Sequence, residues 1–469
     1  MMDGNDRLVP HPLANARRRT CPVSASESRL GVDSLRAGHV GWHGYGRETT
    51  PNLDSLADTG HILRRAFANG CGTNRSFPSI MSSTYPLMYG GYEFISEDRP
   101  LVADVLQSAG YRTAGLHSNP YLLEKFGYGR GFDRYFTSES DTDALGAARQ
   151  WIKDTFDDDN PVFRALKWAF DQSEKKAGFN PGTPFVRADD LTDKAIEWAE
   201  SMDGDRPRFL WAHYMDVHHP YAPPEAYQRR FRDDTVSERR AVKLRRRMLE
   251  EPEDVTDAEL QTITDLYDAE IRYFDEHAGR LVEAVRDRWG DDTVVAFTSD
   301  HGDELNDHGE FSHYDTYYDE LLHVPLLFDV GDGGGTHGKL VELLDVAPTL
   351  VDYAGVDLPE RFEGDSLRTL FETPAEWSKS HAIAESNGSR ACRTDRWKFV
   401  RKGDDERLYD LEADPDEETD VSEANPEAVE ELESVLADHQ ERVDETSREL
   451  GEVTIDDDTA EHLEQLGYR

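Results

Sequence analysis

Short apolar runs and longer amphipathic stretches alternate along most of the chain. Phe209-Leu210-Trp211-Ala212 and Thr293-Val294-Val295-Ala296-Phe297 are compact, β-branched or aromatic runs, the pattern of strands buried on both faces. Between such runs the apolar residues recur at helical spacing. Residues 257–289 predict one long amphipathic helix leading to the strand at 293. Residues 101–109 predict a shorter helix, followed from Gly110 by the entry to another strand. Pro51 marks a helix start, where its fixed φ and missing N–H are tolerated. Ser76 to Pro86 reads as a turn with a helix, Gly331 to His337 as a loop, and Val341 to Ala354 as a packing helix. This alternation predicts an α/β fold: a large mixed, mainly parallel sheet flanked by helices on both faces.

The texture changes at both ends. From residue 382 short strands at 389–393, 397–401 and 407–411, with a turn at Thr394-Asp395-Arg396, predict a small antiparallel subdomain followed by a helix over 426–448. Residues 376–469 are therefore read as a C-terminal unit of small antiparallel sheet plus helices. The main domain spans 32–375 and carries a polar helical insertion over 140–250. Residues 1–31 show neither helical nor strand period, and order is expected from Val32. They are read as an atypical arm, disordered or aberrant in origin, with five arginines against three acids.

That local basicity is unusual, because the whole chain carries 52 Lys and Arg against 96 Asp and Glu, a net charge of −44. Such an excess argues against a nucleic-acid partner, which selects a basic footprint. An acidic, lysine-poor surface resembles that of halophilic cytosolic proteins, in which salt screens the self-repulsion. Residues 225–248 run against the trend, with nine Arg and Lys against four acids. They read either as a solvated helix face or as an arginine-rich rim that attracts an anionic substrate. Three cysteines give no disulfide framework and no zinc spacing. No run approaches the roughly 18 apolar residues of a membrane span. A cytoplasmic protein is the expectation, and the oligomeric state is left open.

Candidate chemistry gathers at Thr298-Ser299-Asp300-His301-Gly302-Asp303, directly after a predicted strand, with His308 and His313 downstream. Strand ends in α/β sheets collect ligands, and an Asp-His pair there offers an oxygen and a nitrogen to one divalent cation. Three further fragments accompany it. Asp33 ends the expected first strand, Thr73 lies in Gly72-Thr73-Asn74-Arg75-Ser76, and His218 lies in Met215-Asp216-Val217-His218-His219-Pro220. In this order the fragments resemble the sulfatase family of the alkaline-phosphatase superfamily. Leu344 to Gly355 and Leu408 to Pro415 add to the likeness, which runs over residues 32–469.

The resemblance implies an alkaline-phosphatase-like fold and a metal-dependent hydrolase of sulfate esters. It implies a divalent metal on Asp33, Asp300 and His301, a nucleophile at the start of the helix after residue 72, and His218 and His313 against the anion or the leaving oxygen. Oxygen-rich ligation suits Ca, Mg or Mn, while a histidine-rich set suits Zn. A second metal on Asp216, His218 and His313 is compatible with the spacing. The family nucleophile is a Cys or Ser in Cys-x-Pro-x-Arg, matured to formylglycine. Counted back from Tyr85-Pro86, that position holds Thr73 and the arginine position holds Phe77, so formylglycine is not expected. Cys71, which keeps Arg75 in register, and Ser76 are the alternatives. Asn119, beside His117, stands where the family has a lysine, and His313 stands at a second lysine position. Asn119, His117 and Arg75 are the candidate substrate-binding side chains.

The implied partner is a small anionic ester, a sulfated or phosphorylated glycan or a lipid head group. A phosphodiesterase or phosphotransferase with a threonine nucleophile is the alternative among enzymes. An inactive, anion-binding relative is the alternative outside them. The family's first strand is apolar up to the metal aspartate, whereas the residues before Asp33 are polar, so Asp33 is expected to be poorly anchored.

Overall fold

A computed structural model describes residues 26–137, 185–202, 204 and 206–447. Residues 1–25, 138–184, 203, 205 and 448–469 lie outside the described residues, and with them part of the insertion expected over 140–250. The strands are β1 (Glu27–Val32), β2 (His61–Phe67), β3 (Arg112–His117), β4 (Arg134–Phe136), β5 (Arg208–Tyr214), β6 (Val294–Ser299), β7 (Glu304–Leu305), β8 (Phe311–Ser312), β9 (His323–Asp329), β10 (Gly335–Glu342), β11 (Ala382–Ser386), β12 (Ser389–Arg393), β13 (Trp397–Lys402) and β14 (Asp405–Asp410). The helices are α1 (Pro51–Ala57), α2 (Thr73–Ser82), α3 (Val102–Ser108), α4 (Ala188–Ser201), α5 (Glu225–Phe231), α6 (Glu238–Glu250), α7 (Asp257–Trp289), α8 (Asp319–Leu322), α9 (Val346–Tyr353), α10 (Arg368–Glu372) and α11 (Pro426–Ser447).

The large sheet has the order β10-β2-β9-β6-β1-β5-β3-β4. Only the pairings of β9 with β2 and β6 are antiparallel. The mixed, mainly parallel sheet expected from the alternation is therefore present. Two apolar cores lie on its faces, one including Phe77, Met81, Trp211 and Leu350, the other including Leu210, Tyr214, Phe274 and Phe297. Trp211 and Leu210 are neighbours in β5 and belong to different cores, which is why central strands read as unbroken apolar runs. The long α7 begins with a capping box in which Thr256 and Glu259 satisfy each other's backbone N–H groups. Among the described residues no helix is long and apolar enough to cross a membrane.

The C-terminal strands form an antiparallel sheet in the order β11-β12-β13-β14. An apolar cluster joins it to the main domain, Tyr85, Met88 and Leu344 packing with Ile383, Phe399 and Leu436, and buried Lys398 on β13 adds an ion pair to Asp319 at 2.6 Å while also meeting Glu417 of its own unit at 2.6 Å. Buried His439 of α11 meets buried Glu385 of β11 at 2.9 Å.

Two expectations are corrected. The Gly331–His337 loop and the Val341–Ala354 helix share a segment with β10, and α9 begins only at Val346. More consequentially, the last residues of the supposed arm form β1, a central strand between β5 and β6, so Asp33 is firmly placed. The pattern departs from that of a buried strand because the polar residues of β1 are themselves buried. Glu27 is fully buried with no hydrogen-bond partner for either carboxylate oxygen. Burial alone holds its carboxyl well above the usual range. Arg29 is 1% exposed, its Nε is unpartnered and its Nη1 faces Met81 Sδ at 3.1 Å. Burial pulls its guanidinium down to about 9 against the field of Asp300.

Replacing both with apolar residues, Glu27→Val with Arg29→Ile, is expected to raise unfolding stability by about 2–4 kcal/mol, because buried polar atoms without hydrogen-bond partners are removed. Urea unfolding checks this: a higher midpoint at unchanged slope is expected, and a lower midpoint would show that the two side chains are satisfied in the fold.

Candidate active site

The parallel register builds the site. Val32 lies opposite Tyr214 and Ser299, and His117 lies opposite His213, so β1, β3, β5 and β6 release their chains along one carboxyl edge. Asp33 and Asp300 thus leave adjacent strands side by side. Ser34 turns the chain in the left-handed region, at φ 62°. Its N–H donates to Asp300 Oδ1 at 3.3 Å and its hydroxyl to Asp33 Oδ1 at 2.7 Å. After Asp300-His301, Gly302 runs so close to the Glu320 carbonyl that a Cβ would lie 1.9 Å from that oxygen.

Thr73 is the first residue of α2, and its hydroxyl donates to Asp33 Oδ2 at 3.0 Å while lying 3.5 Å from His301 Nε2. Asn119 follows β3. Its Oδ1 accepts the Tyr121 N–H, which turns Nδ2 toward Asp33 Oδ2 at 2.9 Å and Thr73 Oγ1 at 3.3 Å. Five sequence candidates from four segments therefore converge: Asp33, Thr73, Asn119, Asp300 and His301.

The donor set fits a divalent cation. His301 Nδ1 donates to the Gly302 carbonyl at 2.7 Å, so Nε2 carries the lone pair. It lies 3.6 Å from Asp33 Oδ1 and 3.6 Å from Asp300 Oδ2. Ligands about 2.4 Å from one cation and at right angles stand about 3.4 Å apart. Asp300 Oδ2 is buried without a hydrogen bond, as a ligand oxygen would be. Burial and the neighbouring Asp33 push the Asp300 carboxyl up to about 8. Burial would also raise Asp33, but the imidazoles of His213, His218 and His301 more than offset it and hold that carboxyl well below its usual range.

His213 joins the site although it is not among the candidates from the sequence: its Nε2 is 3.6 Å from Asp33 Oδ2, and it groups with Asp33 and Asp300 at ligand spacing. In the sequence it is marked only as a histidine closing a buried strand, and its place beside Asp33 comes from the sheet register. Asp303 and His219 were also missed. Asp303 is fully buried, accepts the Tyr221 hydroxyl at 2.5 Å and faces His313 Nδ1 at 3.3 Å. His218 Nδ1 donates to the His219 carbonyl at 2.7 Å. His218 and His313 pack with ring centroids 5.3 Å apart, and His313 lies 4.5 Å from the His301 ring. Burial pulls His218 down to about 4 and His313 down to about 3, so both are neutral at pH 7.

Several candidates are placed elsewhere. His117 is fully buried against Trp211 and Tyr135, with ring centroids 5.6 and 5.0 Å away, and neither of its nitrogens is hydrogen-bonded. It packs behind the site instead of facing an anion, because its strand position points it into the aromatic layer. Cys71 is fully buried in the apolar core, where burial raises its thiol far out of the reactive range. Ser76 gives its hydroxyl to the Asp300 carbonyl at 2.6 Å. Asp216 is held by Arg187 at 3.2 Å and by the Ala188 N–H, which removes it from the expected second metal set. His218, His219 and His313 do approach ligand spacing. However, His219 Nδ1 accepts from Arg245 Nε at 3.0 Å, leaving its Nε2 to donate to Ser312 at 3.1 Å, so both of its nitrogens are engaged. Arg75 stays at the rim: it pairs with Asp315 at 3.3 Å, and its Nη1 passes 3.2 Å from where a Gly72 Cβ would stand.

Known proteins carry related sequences. The sulfatase family matches residues 30–356, and the family described as N-sulphoglucosamine sulphohydrolase, C-terminal, matches residues 308–446. An arylsulfatase of Clostridium perfringens is 25% identical over 457 residues, covering 86% of this chain and 92% of that protein. A choline-sulfatase of Rhizobium meliloti is 37% identical over 190 residues, covering 37% of this chain and 35% of that protein. Among solved structures, a protein in complex with its substrate D-glucosamine-2-N,6-O-disulfate superimposes with a TM-score of 0.69 at 19% identity, covering 90% of this chain and 98% of that one. The phosphonate monoester hydrolase of Agrobacterium radiobacter gives 0.67 at 20% identity, covering 88% and 96%. These last two are likenesses of fold. The family match, by contrast, extends over most of the sequence, and the chain belongs to the sulfatase family of the alkaline-phosphatase superfamily.

Proposed function

We propose that the chain is a metal-dependent hydrolase of sulfate esters in which the Thr73 hydroxyl is the nucleophile. The observation that carries this is the placement of Thr73 Oγ1 at 3.0 Å from Asp33 and 3.5 Å from His301, at the first residue of a helix. Cys71, the family-type alternative, is sealed in the core.

Asp33, Asp300 and His301, with His213 beside them, would hold the cation. When bound, it would polarise the ester and lower the pKa of the nearby hydroxyl. The chain's own groups do the rest. Asn119 Nδ2 orients the Thr73 oxygen, and Arg75 approaches the anion from the rim. As the Oγ–S bond forms, the bond from sulfur to the alcohol oxygen breaks. Neutral His218 or His313 accepts the Thr73 proton and returns it to the departing alkoxide. Water then attacks the threonyl sulfate, a new O–S bond replaces the Oγ–S bond, and sulfate and the restored hydroxyl result. Asp303, itself fixed by Tyr221, orients His313.

A phosphodiester is the second reading, favoured by the threonine itself, an unmodified alcohol. Both esters carry a single negative charge. That matches a site at whose rim Arg75 is already paired with Asp315 at 3.3 Å.

Thr73→Ala is expected to lower p-nitrophenyl sulfate turnover, measured with Mn or Ca at high salt, by about 10³-fold or more. Cys71→Ala should retain it. The reverse result would transfer the nucleophile to Cys71. Measured alongside, bis-p-nitrophenyl phosphate turnover that exceeds sulfate turnover and is lost in Thr73→Ala would select the diester.

Cation binding has its own pH signature. The cation must displace the proton that Asp300 holds below about 8. The unbound form carries that proton and the bound form does not, so affinity rises with pH, by about tenfold per unit below 8, and levels off above it. Titration calorimetry with Mn in two buffers of different ionisation enthalpy measures both slope and proton release. A flat profile from pH 6 to 8 would remove Asp300 from the ligand set.

A further inference from the structure

Helix α6 breaks the charge rule of the chain. Ala241, Leu244 and Met248 seat it on the protein, while Arg239, Arg240, Lys243 and Arg246 are exposed. Arg246 pairs with Glu250 and Arg247 with Glu259, each at 2.7 Å. Among the described residues, Arg239, Arg240 and Lys243 have no carboxylate at ion-pair distance, although acids outnumber bases almost two to one along the chain.

Arg245, at the inner edge of the same helix, has no carboxylate partner among the described residues either. Its Nε donates to His219 Nδ1 at 3.0 Å, and the His219 ring lies 4.2 Å from His218 and 5.9 Å from His313. The cationic helix thus joins the histidine wall of the reacting centre. Tyr314 follows His313 directly, is 49% exposed and is close enough to Arg245 to feel its charge. Val242, 42% exposed, lies within a turn of Arg245.

We propose that this face of α6, with Tyr314, is a binding surface for a polysulfated glycan, so that the ester cleaved at Thr73 is one of several on a chain of sugars. The proposal rests on the ester-hydrolase reading and names its substrate class. Arginine forks match the oxygens of a sulfate group, and an exposed phenol ring beside them offers an apolar face to a sugar. Arg239 and Arg245 are separated by six residues, about 9 Å along the helix, which suits anionic groups repeated along a chain and exceeds the span of one small ester. On a chain of net charge −44 much of the surface repels a polyanion, and this basic row, with no carboxylate at ion-pair distance among the described residues, both attracts and orients it. The same net charge disfavours a nucleic acid, whose long phosphate backbone would extend beyond the row onto acidic surface.

The test compares the full chain with the double variant Arg239→Glu/Lys243→Glu, using dextran sulfate as ligand, unsulfated dextran as control and p-nitrophenyl sulfate as small substrate. Dextran sulfate affinity is expected to fall by about tenfold or more in the variant and with rising salt, while small-substrate kcat/KM changes by less than about twofold. Equal dextran sulfate binding by both proteins would overturn the proposal. So would duplex DNA that competes as well as dextran sulfate, which would identify a general polyanion or nucleic-acid surface. If the parent fails to turn over p-nitrophenyl sulfate while the binding difference persists, the hydrolase reading falls and the surface stands.

Discussion

Two like charges forced together organise this molecule. Because β1 and β6 pair in parallel with Val32 opposite Ser299, Asp33 and Asp300 must leave the sheet as neighbours, in a region from which water is excluded. Their surroundings treat them unequally. Asp33 is supplied with the Ser34 and Thr73 hydroxyls and the Asn119 amide, and stays ionised. Asp300 receives two backbone N–H groups on one oxygen and nothing on the other. A pair of this kind relaxes either by taking up a proton or by sharing a cation, and the orphaned oxygen facing His301 Nε2 makes the second the more complete solution.

The neighbouring groups inherit their roles from that pair. Backbone carbonyls take the Nδ1 protons of His301 and His218, and Asp303 faces Nδ1 of His313, so the rings are held by one side and act through the other. Two of the supports lie at backbone positions under strain, Ser34 at φ 62° and Ser312 at φ 76°, each adjacent to a site residue. Burial keeps His218 and His313 uncharged, so neither attracts the anion by charge and each meets it as a neutral hydrogen-bonding ring.

The parts of this arrangement legible in the sequence were those that local pattern encodes. Apolar runs marked β5 and β6, helical spacing marked α7, and the Asp300-His301 step at a strand end stood out because loop chemistry follows an apolar run. His213 was hidden inside such a run, since a histidine closing a buried strand has the same appearance whether it packs or ligates. His117 is the mirror case: it lies on the neighbouring strand in register with His213 and only packs. Position across the sheet separates the two, and no one-dimensional pattern carries it. β1 failed for a different reason. Glu27 and Arg29 are ionisable side chains in a strand buried on both faces, tolerated because β5 and β6 provide a ready hydrogen-bonding slot for its backbone between them. Tertiary context overrode the local pattern there.

Charge also bears on the choice between sulfur and phosphorus. Neutral histidines, the uncharged Asn119 amide and an arginine already engaged with Asp315 leave the proposed cation as the main positive charge in front of Thr73. Such a centre suits one negative charge at the reacting atom and penalises two, which separates a phosphate monoester from a sulfate monoester or a phosphate diester but not the latter two from each other. Selection between these must come from the rest of the ligand. A row of arginines reaching the histidine wall through Arg245 and His219 rewards additional negative charge several ångströms away from the reacting ester. A sulfated glycan supplies that charge from its neighbouring groups, whereas an isolated diester does not. The low charge at the centre and the high charge at its rim therefore favour the same ligand.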